Sequence, residues 1–173
     1  MKEMIRVFIG FDESEPKSYA VTRHSMERHS SVPLYARPLA QSALRQAGLY
    51  DRPFHRDGLT RIDERDGKPF STDFSFSRFL IPAISLYEGW ALWCDGDFLF
   101  LEDVAKLFAL ASDKYAVMCV KHRHIPNEDT KMDGRAQTTY HRKNWSSLVL
   151  WNCSHPANRN LTPHVVNTSS GQY

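Results

Sequence analysis

Apolar residues along this chain fall into short runs whose period changes from one segment to the next. Ile5-Arg-Val-Phe-Ile-Gly10 is short and β-branched, which predicts a strand over 5–10. An acidic stretch follows at Phe11 and Asp12, then a helix with Ser14 as its cap and Pro16 in its first turn, continuing to Met26. A second strand is expected over 32–36. Residues 37–67 hold no steady period and carry Pro53, Gly58 and an alternating Arg/Asp tract over 61–67. They predict loop with one helix around 41–47, the charges forming a solvated surface. Ser71 or Thr72 should cap a helix that Pro82 ends, with Phe76, Phe79 and Leu80 toward the core and Arg78 on another face.

The most informative run is Trp90-Ala-Leu-Trp-Cys-Asp-Gly-Asp-Phe-Leu-Phe-Leu101. An apolar segment ending in Asp95-Gly96-Asp97 reads as a buried strand that carries two carboxylates to the rim of a sheet. Beyond it Asp103 begins a helix, with Val104, Leu107, Phe108 and Ala111 on one face. Buried strands are expected over 115–120 and 145–152, with a polar segment between them and a short helix over 162–167. Strands alternating with helices predict one α/β domain over 1–173, a mixed central sheet flanked by helices.

Composition narrows the function classes. With 42% hydrophobic and 24% charged residues in a chain of 173, the protein belongs to the ordinary globular class. A formal net charge of +2 is too mild for a nucleic-acid groove or an anionic membrane surface. The N-terminal apolar stretch is too short for a signal peptide and is broken by Glu3 and Arg6, and no apolar segment is long enough to span a bilayer. Cys94, Cys119 and Cys153 lie in apolar runs and read as buried free thiols, so a cytoplasmic location is expected.

Residues two apart on an extended chain point to one face, so Asp95 and Asp97 can converge on one object. Like charges at that spacing need a neutralising partner, and hard oxygen ligands suit Mn²⁺ or Mg²⁺. Gly96 between them leaves the backbone open to a ligand. The competing reading is a surface Asp-Gly turn, which the flanking Trp, Cys, Phe and Leu make less ordinary. Asp12 is a candidate acceptor for a base or ribose, set against a plain role at a helix N-terminus. Arg78 is a candidate phosphate contact, set against a surface position or a salt bridge to Asp73.

The order of these parts resembles the GT-A glycosyltransferases, in particular the family 8 kind that includes glycogenin and bacterial lipopolysaccharide galactosyltransferases. The resemblance spans about Ile5 to Asn152, and its specific part is the Asp-x-Asp region. It implies that Phe11 and Asp12 meet the nucleotide, that Arg78 in Ser-Arg-Phe-Leu contacts it, and that Asp95 and Asp97 hold Mn²⁺ or Mg²⁺ on the diphosphate of a nucleotide-sugar donor. Lys143, Ser146, Ser147 and Asn152 are weaker candidates for sugar or acceptor contacts. The chain departs from the family where Trp145-Ser146-Ser147 stands in place of Asn-Ala-Gly, and His155 and His164 lie too near the last strand to supply its further metal ligand. Similar proteins continue beyond the point matching Tyr173, so the chain reads as lacking a C-terminal segment.

The implied activity is metal-dependent transfer of a sugar from a nucleoside diphosphate to an acceptor hydroxyl, with retention of configuration; no nucleophile is legible. The acceptor would be a carbohydrate, a lipid-linked glycan or a protein. Two rivals stand beside it. One is a non-catalytic nucleotide-sugar or polysaccharide-binding module. The other is a haloacid dehalogenase-type phosphatase, disfavoured because Phe98-Leu-Phe-Leu101 follows the pair where a Thr or Ser is normal.

Overall fold

The computed structural model describes residues 4–58, 60–121 and 145–171. In chain order the elements are β1 (Ile5–Phe11), α1 (Pro16–His29), β2 (Leu34–Ala40), α2 (Gln41–Gln46), β3 (Phe54–Asp57), β4 (Thr60–Asp63) and β5 (Pro69–Phe70). A 3-10 turn over Ser77–Leu80 leads into α3 (Ile81–Ile84), followed by β6 (Trp90–Cys94), α4 (Ala105–Phe108), β7 (Val117–Cys119), β8 (Leu148–Asn152) and α5 (Pro163–Thr168).

A five-stranded sheet in the order β2-β1-β6-β8-β7 forms the centre. β2, β1 and β6 run parallel, whereas β8 is antiparallel to both β6 and β7. The mixed α/β architecture expected from the alternation of elements is therefore present. Side-chain alternation sorts each central strand between two cores. Phe8, Ala91, Trp93, Val149 and Trp151 face one side, packed with Leu80, Ile81 and Val166. Val7, Ile9, Leu92, Cys94 and Leu150 face the other, packed with Met26 of α1 and with Val104. No helix among the described residues is long and apolar enough to cross a membrane.

Several local expectations are corrected. The tract read as solvated loop builds a second sheet, β3-β4-β5, all antiparallel. β4 buries Arg61 and Asp63 alternately, so its period of two is written in charged residues, where a hydrophobic pattern does not register it. Arg52 and Asp63, 2% and 1% exposed, form a bidentate pair at 2.9 and 2.6 Å. Arg52 also donates to the carbonyls of Val166 and Ser169, tying this sheet to α5. The expected helix over 72–82 is a turn, a 3-10 segment and then α3; Pro82 sits in the first turn of α3, where its missing N–H costs nothing, and does not end a helix. Ser14 does not cap α1: it bonds Asp12 instead, and Glu15 is the N-cap without a side-chain bond. Among the described residues β7 pairs with β8 alone, and Val117 and Cys119 are exposed, not buried as expected, unlike Cys94 and Cys153.

Other expectations hold locally. Asp103 accepts from the Ala105 amide at 2.9 Å at the start of α4, although α4 is a single turn. The short helix expected over 162–167 is α5, and the structure adds that the Thr162 hydroxyl caps it by accepting from the Val165 amide at 3.2 Å.

Removing one partner of a buried ion pair leaves the other charge uncompensated. Arg52→Ala is therefore expected to lower the unfolding free energy by about 3–5 kcal/mol, measured by urea denaturation. Lys106→Ala, which breaks the exposed pair to Glu102, should leave the transition unchanged.

Candidate active site

The carboxyl ends of β1 and β6 lie side by side, with Ile9 opposite Cys94. The first residues past β6 therefore emerge beside the β1 loop, where ligands bind in open α/β sheets. Gly96 turns away from the sheet so close to β1 that any Cβ on it would overlap the Gly10 carbonyl oxygen. Glycine is thus required there by the protein's own backbone packing, a different reason from the ligand approach expected of it. Gly10 is equally constrained, because a Cβ would stand 2.9 Å from both Phe74 and Trp93 ring carbons.

Helix α1 holds the loop from behind. The buried Thr22 hydroxyl lies 2.8 Å from the Gly96 carbonyl and 2.7 Å from that of Phe98. The Ser25 hydroxyl accepts from the Phe100 amide at 3.0 Å. These two hydroxyls satisfy backbone groups of a loop that would otherwise be left unpaired on leaving water. Neither was singled out from sequence, although two hydroxyls three apart beside Met26 on a helix face are a readable sign that the face packs on backbone rather than on side chains.

Asp95 and Asp97 line a common cavity, Asp95 partly buried and Asp97 exposed. Arg78, expected on a face of its own, is buried at the site. Its Nη1 stands 3.1 Å from Asp95 Oδ1 and donates to the Ser146 carbonyl at 2.9 Å and the Ser146 hydroxyl at 3.2 Å. Its Nε donates to the Phe74 carbonyl at 3.2 Å, and the guanidinium stands 5.4 and 5.3 Å from the Phe74 and Trp93 ring centres. Both competing readings of Arg78 are thereby corrected: it is no surface arginine, and the arginine paired with Asp73 is Arg61, at 2.9 Å.

The contact between Arg78 and Asp95 is an ion pair without hydrogen-bond alignment, and among the described residues Asp95 Oδ1 takes no hydrogen bond. Burial pushes the Asp95 carboxyl up to about 6; Arg78 opposes that and Asp97 adds to it. Two carboxylates on one cavity, one of them with an oxygen that takes no hydrogen bond, are a donor set that fits a hard divalent cation. Among the described residues no cluster holds three or more His, Cys, Asp or Glu ligands, so the pair would leave the remaining positions to water and ligand oxygens.

The cavity of about 220 Å³ reaches from the carboxylate pair to Gly10, Asp12, Thr72 and Arg61. Asp12 is already engaged there: one oxygen accepts from the Ser14 amide and hydroxyl at 3.0 and 2.5 Å, the other from the Asp73 amide at 3.3 Å and Arg61 at 3.2 Å. Burial raises the Asp12 carboxyl, but Ser14, the Asp73 amide and Arg61 outweigh it and hold it below its ordinary value. Arg61 is the site residue that the charge pattern concealed. Phe11 stacks edge-on against Tyr19, a cavity-lining residue, at 5.5 Å. A larger cavity of about 570 Å³ opens on the other side of Asp95 and Asp97, bounded by Leu99, Val120 and Ser147.

Ser146 and Ser147 stand beside the pair, the Ser147 carbonyl accepting from the Asp95 amide at 2.8 Å. Asn152 does not: β8 runs antiparallel to β6, so Leu148 lies opposite Cys94 and Asn152 opposite Trp90, at the far end of the strand. Lys143 lies outside the described residues.

A carboxyl raised in the folded state favours the protonated form there, so its ionisation weakens folding as pH rises. In metal-free buffer the wild type is expected to lose stability relative to Asp95→Asn between about 4, the ordinary value, and about 6. The loss, roughly 3 kcal/mol at 1.36 kcal/mol per unit, is read from urea transitions of both proteins across that window.

No family model matches the chain. Over 172 residues it is 49% identical to Protein CDI of Arabidopsis thaliana, covering 99% of this chain and 62% of that protein. The chain thus spans about 62% of the length of this curated relative. Among solved structures it is similar to the WbbM bifunctional glycosyltransferase, at a TM-score of 0.54 and 13% identity over 97% of this chain and 35% of that one. It is also similar to the glycosyltransferase GlyE of Streptococcus pneumoniae, at TM-scores of 0.50 and 0.51 over 95% of this chain and 38% of that one, with 18% and 15% identity. The mixed sheet with its flanking helices is the fold these glycosyltransferases share with this chain.

Proposed function

We propose that the chain carries the donor site of a metal-dependent, GT-A-type glycosyltransferase, which moves a sugar from a nucleoside diphosphate to an acceptor hydroxyl. The observation that carries this reading is the placement of Asp95 and Asp97 just past β6, on a cavity that opens where β1 and β6 end. The fold shared with WbbM and GlyE supports it. Family 8 membership and retention of configuration are the finer form of the same reading.

The charge of the cavity supports metal dependence. Among the described residues its lining holds four carboxylates, Asp12, Glu15, Asp95 and Asp97, against one guanidinium, that of Arg61. Arg61 is itself offset by Asp12 and Asp73. A diphosphate entering alone would meet net negative charge. Asp95 and Asp97 would hold a divalent cation, which would supply stabilisation of the charge that develops on the leaving diphosphate. The chain's own residues orient: α1 fixes the loop, Arg78 is set against Asp95, and the β1 loop with Asp12 and Arg61 shapes the far end of the cavity, where the nucleoside would lie. The cavity beyond the pair, reaching Ser147 and Leu99, is the place for the acceptor: a carbohydrate, a lipid-linked glycan or a protein side chain.

The test is thermal and urea stability against UDP, GDP, CDP and ADP, with and without Mn²⁺, in the wild type, Asp95→Ala and Asp97→Ala. One diphosphate at 100 times its dissociation constant should add roughly 2.7 kcal/mol, only with Mn²⁺ and in neither variant. No response from a folded wild type would sink the donor-site reading. Release of free sugar from the matching nucleotide sugar is the expected sign of catalysis, and binding without it would favour a non-catalytic nucleotide-sugar module.

A further inference from the structure

The two carboxylates of the site are held by different parts of the fold. Asp95 directly follows β6; its amide donates to the Ser147 carbonyl at 2.8 Å and its carboxyl stands 3.1 Å from Arg78. Asp97 is exposed, and the anchor nearest to it is made of backbone on either side. The Gly96 carbonyl before it and the Phe98 carbonyl after it converge on one hydroxyl, that of Thr22, at 2.8 and 2.7 Å. Thr22 is wholly buried on α1. A hydroxyl carries one proton, so the two carbonyls that bracket Asp97 share a single donor. Gly96 also lies against the Gly10 carbonyl of β1, which seats the loop between β1 and α1.

We infer that Thr22 is a positioning residue for the cation: by holding the carbonyls on both sides of Asp97 it sets where that carboxylate stands relative to Asp95, and with it the affinity of the pair for a divalent ion. This rests on the donor-site reading. Small divalent cations accept a narrow range of ligand distances, and here two carboxylates must meet that range while water and ligand oxygens fill the rest. A loop held in place by folding has little backbone freedom left to lose when the ion binds; a loop released from α1 must lose it then. Without the Thr22 hydroxyl, two carbonyls would face α1 with no donor, an unfavourable state that the loop relieves by turning them to water. Asp97, lying between them, turns with them. Asp95 keeps its own anchors, so the change falls on the spacing of the pair and not on the strand that carries it.

The experiment measures Mn²⁺ binding directly, by the loss of the free-ion electron paramagnetic resonance signal. It is done with Mn²⁺ alone and at saturating concentration of whichever of UDP, GDP, CDP and ADP binds the wild type. Groups outside the ligand set that orient it are worth about 10- to 100-fold in metal affinity. Thr22→Val, which keeps the shape of the side chain and removes the hydroxyl, is expected to weaken Mn²⁺ binding by about tenfold or more in both conditions. Thr22→Ser, which restores the donor, should retain most of the wild-type affinity. Asn158→Ala is the matched control. Asn158 Nδ2 also donates to two carbonyls, those of Ala116 and Asn152 at 2.8 and 2.7 Å, but toward the opposite end of β8. Its loss should lower the melting temperature and leave Mn²⁺ affinity as it is. Wild-type affinity in a folded Thr22→Val protein would overturn the inference and leave the donor site standing. Equal weakening in Thr22→Ser or in Asn158→Ala would do the same. Should Thr22→Val fail to fold, Thr22→Ala takes its place with the same expectation. Absence of Mn²⁺ binding by the wild type, alone and with every diphosphate, would overturn this inference together with the metal-dependent donor reading.

Discussion

At the mouth of a buried strand the Asp95 carboxyl is set 3.1 Å from the buried guanidinium of Arg78, and the site is built around that contact. β6 is buried along its whole length beyond Trp90, and its last residue leads directly into Asp95. Desolvation there works against ionisation and Asp97 adds to it, while Arg78 first and Trp93 second oppose it. Arg78 is in turn positioned by Phe74, Trp93 and Ser146, which come from three separate stretches of chain. The site is therefore a junction of the core and not a loop added to its surface.

The remainder of the fold serves that junction. The two glycines, Gly10 and Gly96, let the ends of β1 and β6 approach closely enough for the Asp-Gly-Asp loop to lie over β1. Thr22 and Ser25 then satisfy the loop's backbone from α1, which packs on the core face lined by Val7, Ile9 and Leu92. Burying polar side chains is unfavourable unless they are bonded; the Thr22 hydroxyl bonds the loop carbonyls, and the Ser25 hydroxyl accepts from the Phe100 amide while donating to the Thr22 carbonyl of its own helix. These bonds hold the loop that carries the two carboxylates against α1.

The second sheet gives the cavity its other wall. Arg61 and Asp63 alternate on β4, each buried, each paired with a charge from elsewhere: Asp12 and Asp73 for Arg61, Arg52 for Asp63. One pair thus faces the cavity and the other fastens the sheet to α5 through the Val166 and Ser169 carbonyls. Buried ion pairs of this kind do not add much to stability over apolar packing, yet breaking them is costly, which makes them effective at fixing one arrangement.

The sequence alone was sufficient for what depends on neighbours along the chain. The apolar run before Asp95 marks a buried strand, the spacing of Asp95 and Asp97 marks a pair, and short helices follow Asp103 and stand near 162–167 as their own residues predict. Period, capping and spacing are local properties, so local residues reveal them. Direction and partnership are not local. Ser146 reaches the carboxylate pair and Asn152 is carried away from it because β8 runs antiparallel to β6, and nothing within residues 145–152 states that direction. Asp73 pairs with Arg61 rather than with Arg78, and Arg78 with Asp95, because distant segments meet only when the sheet has formed. The tract around Arg61 hid its strand for a related reason: its buried face is charged, and the partners that make such burial tolerable are supplied by tertiary contacts alone.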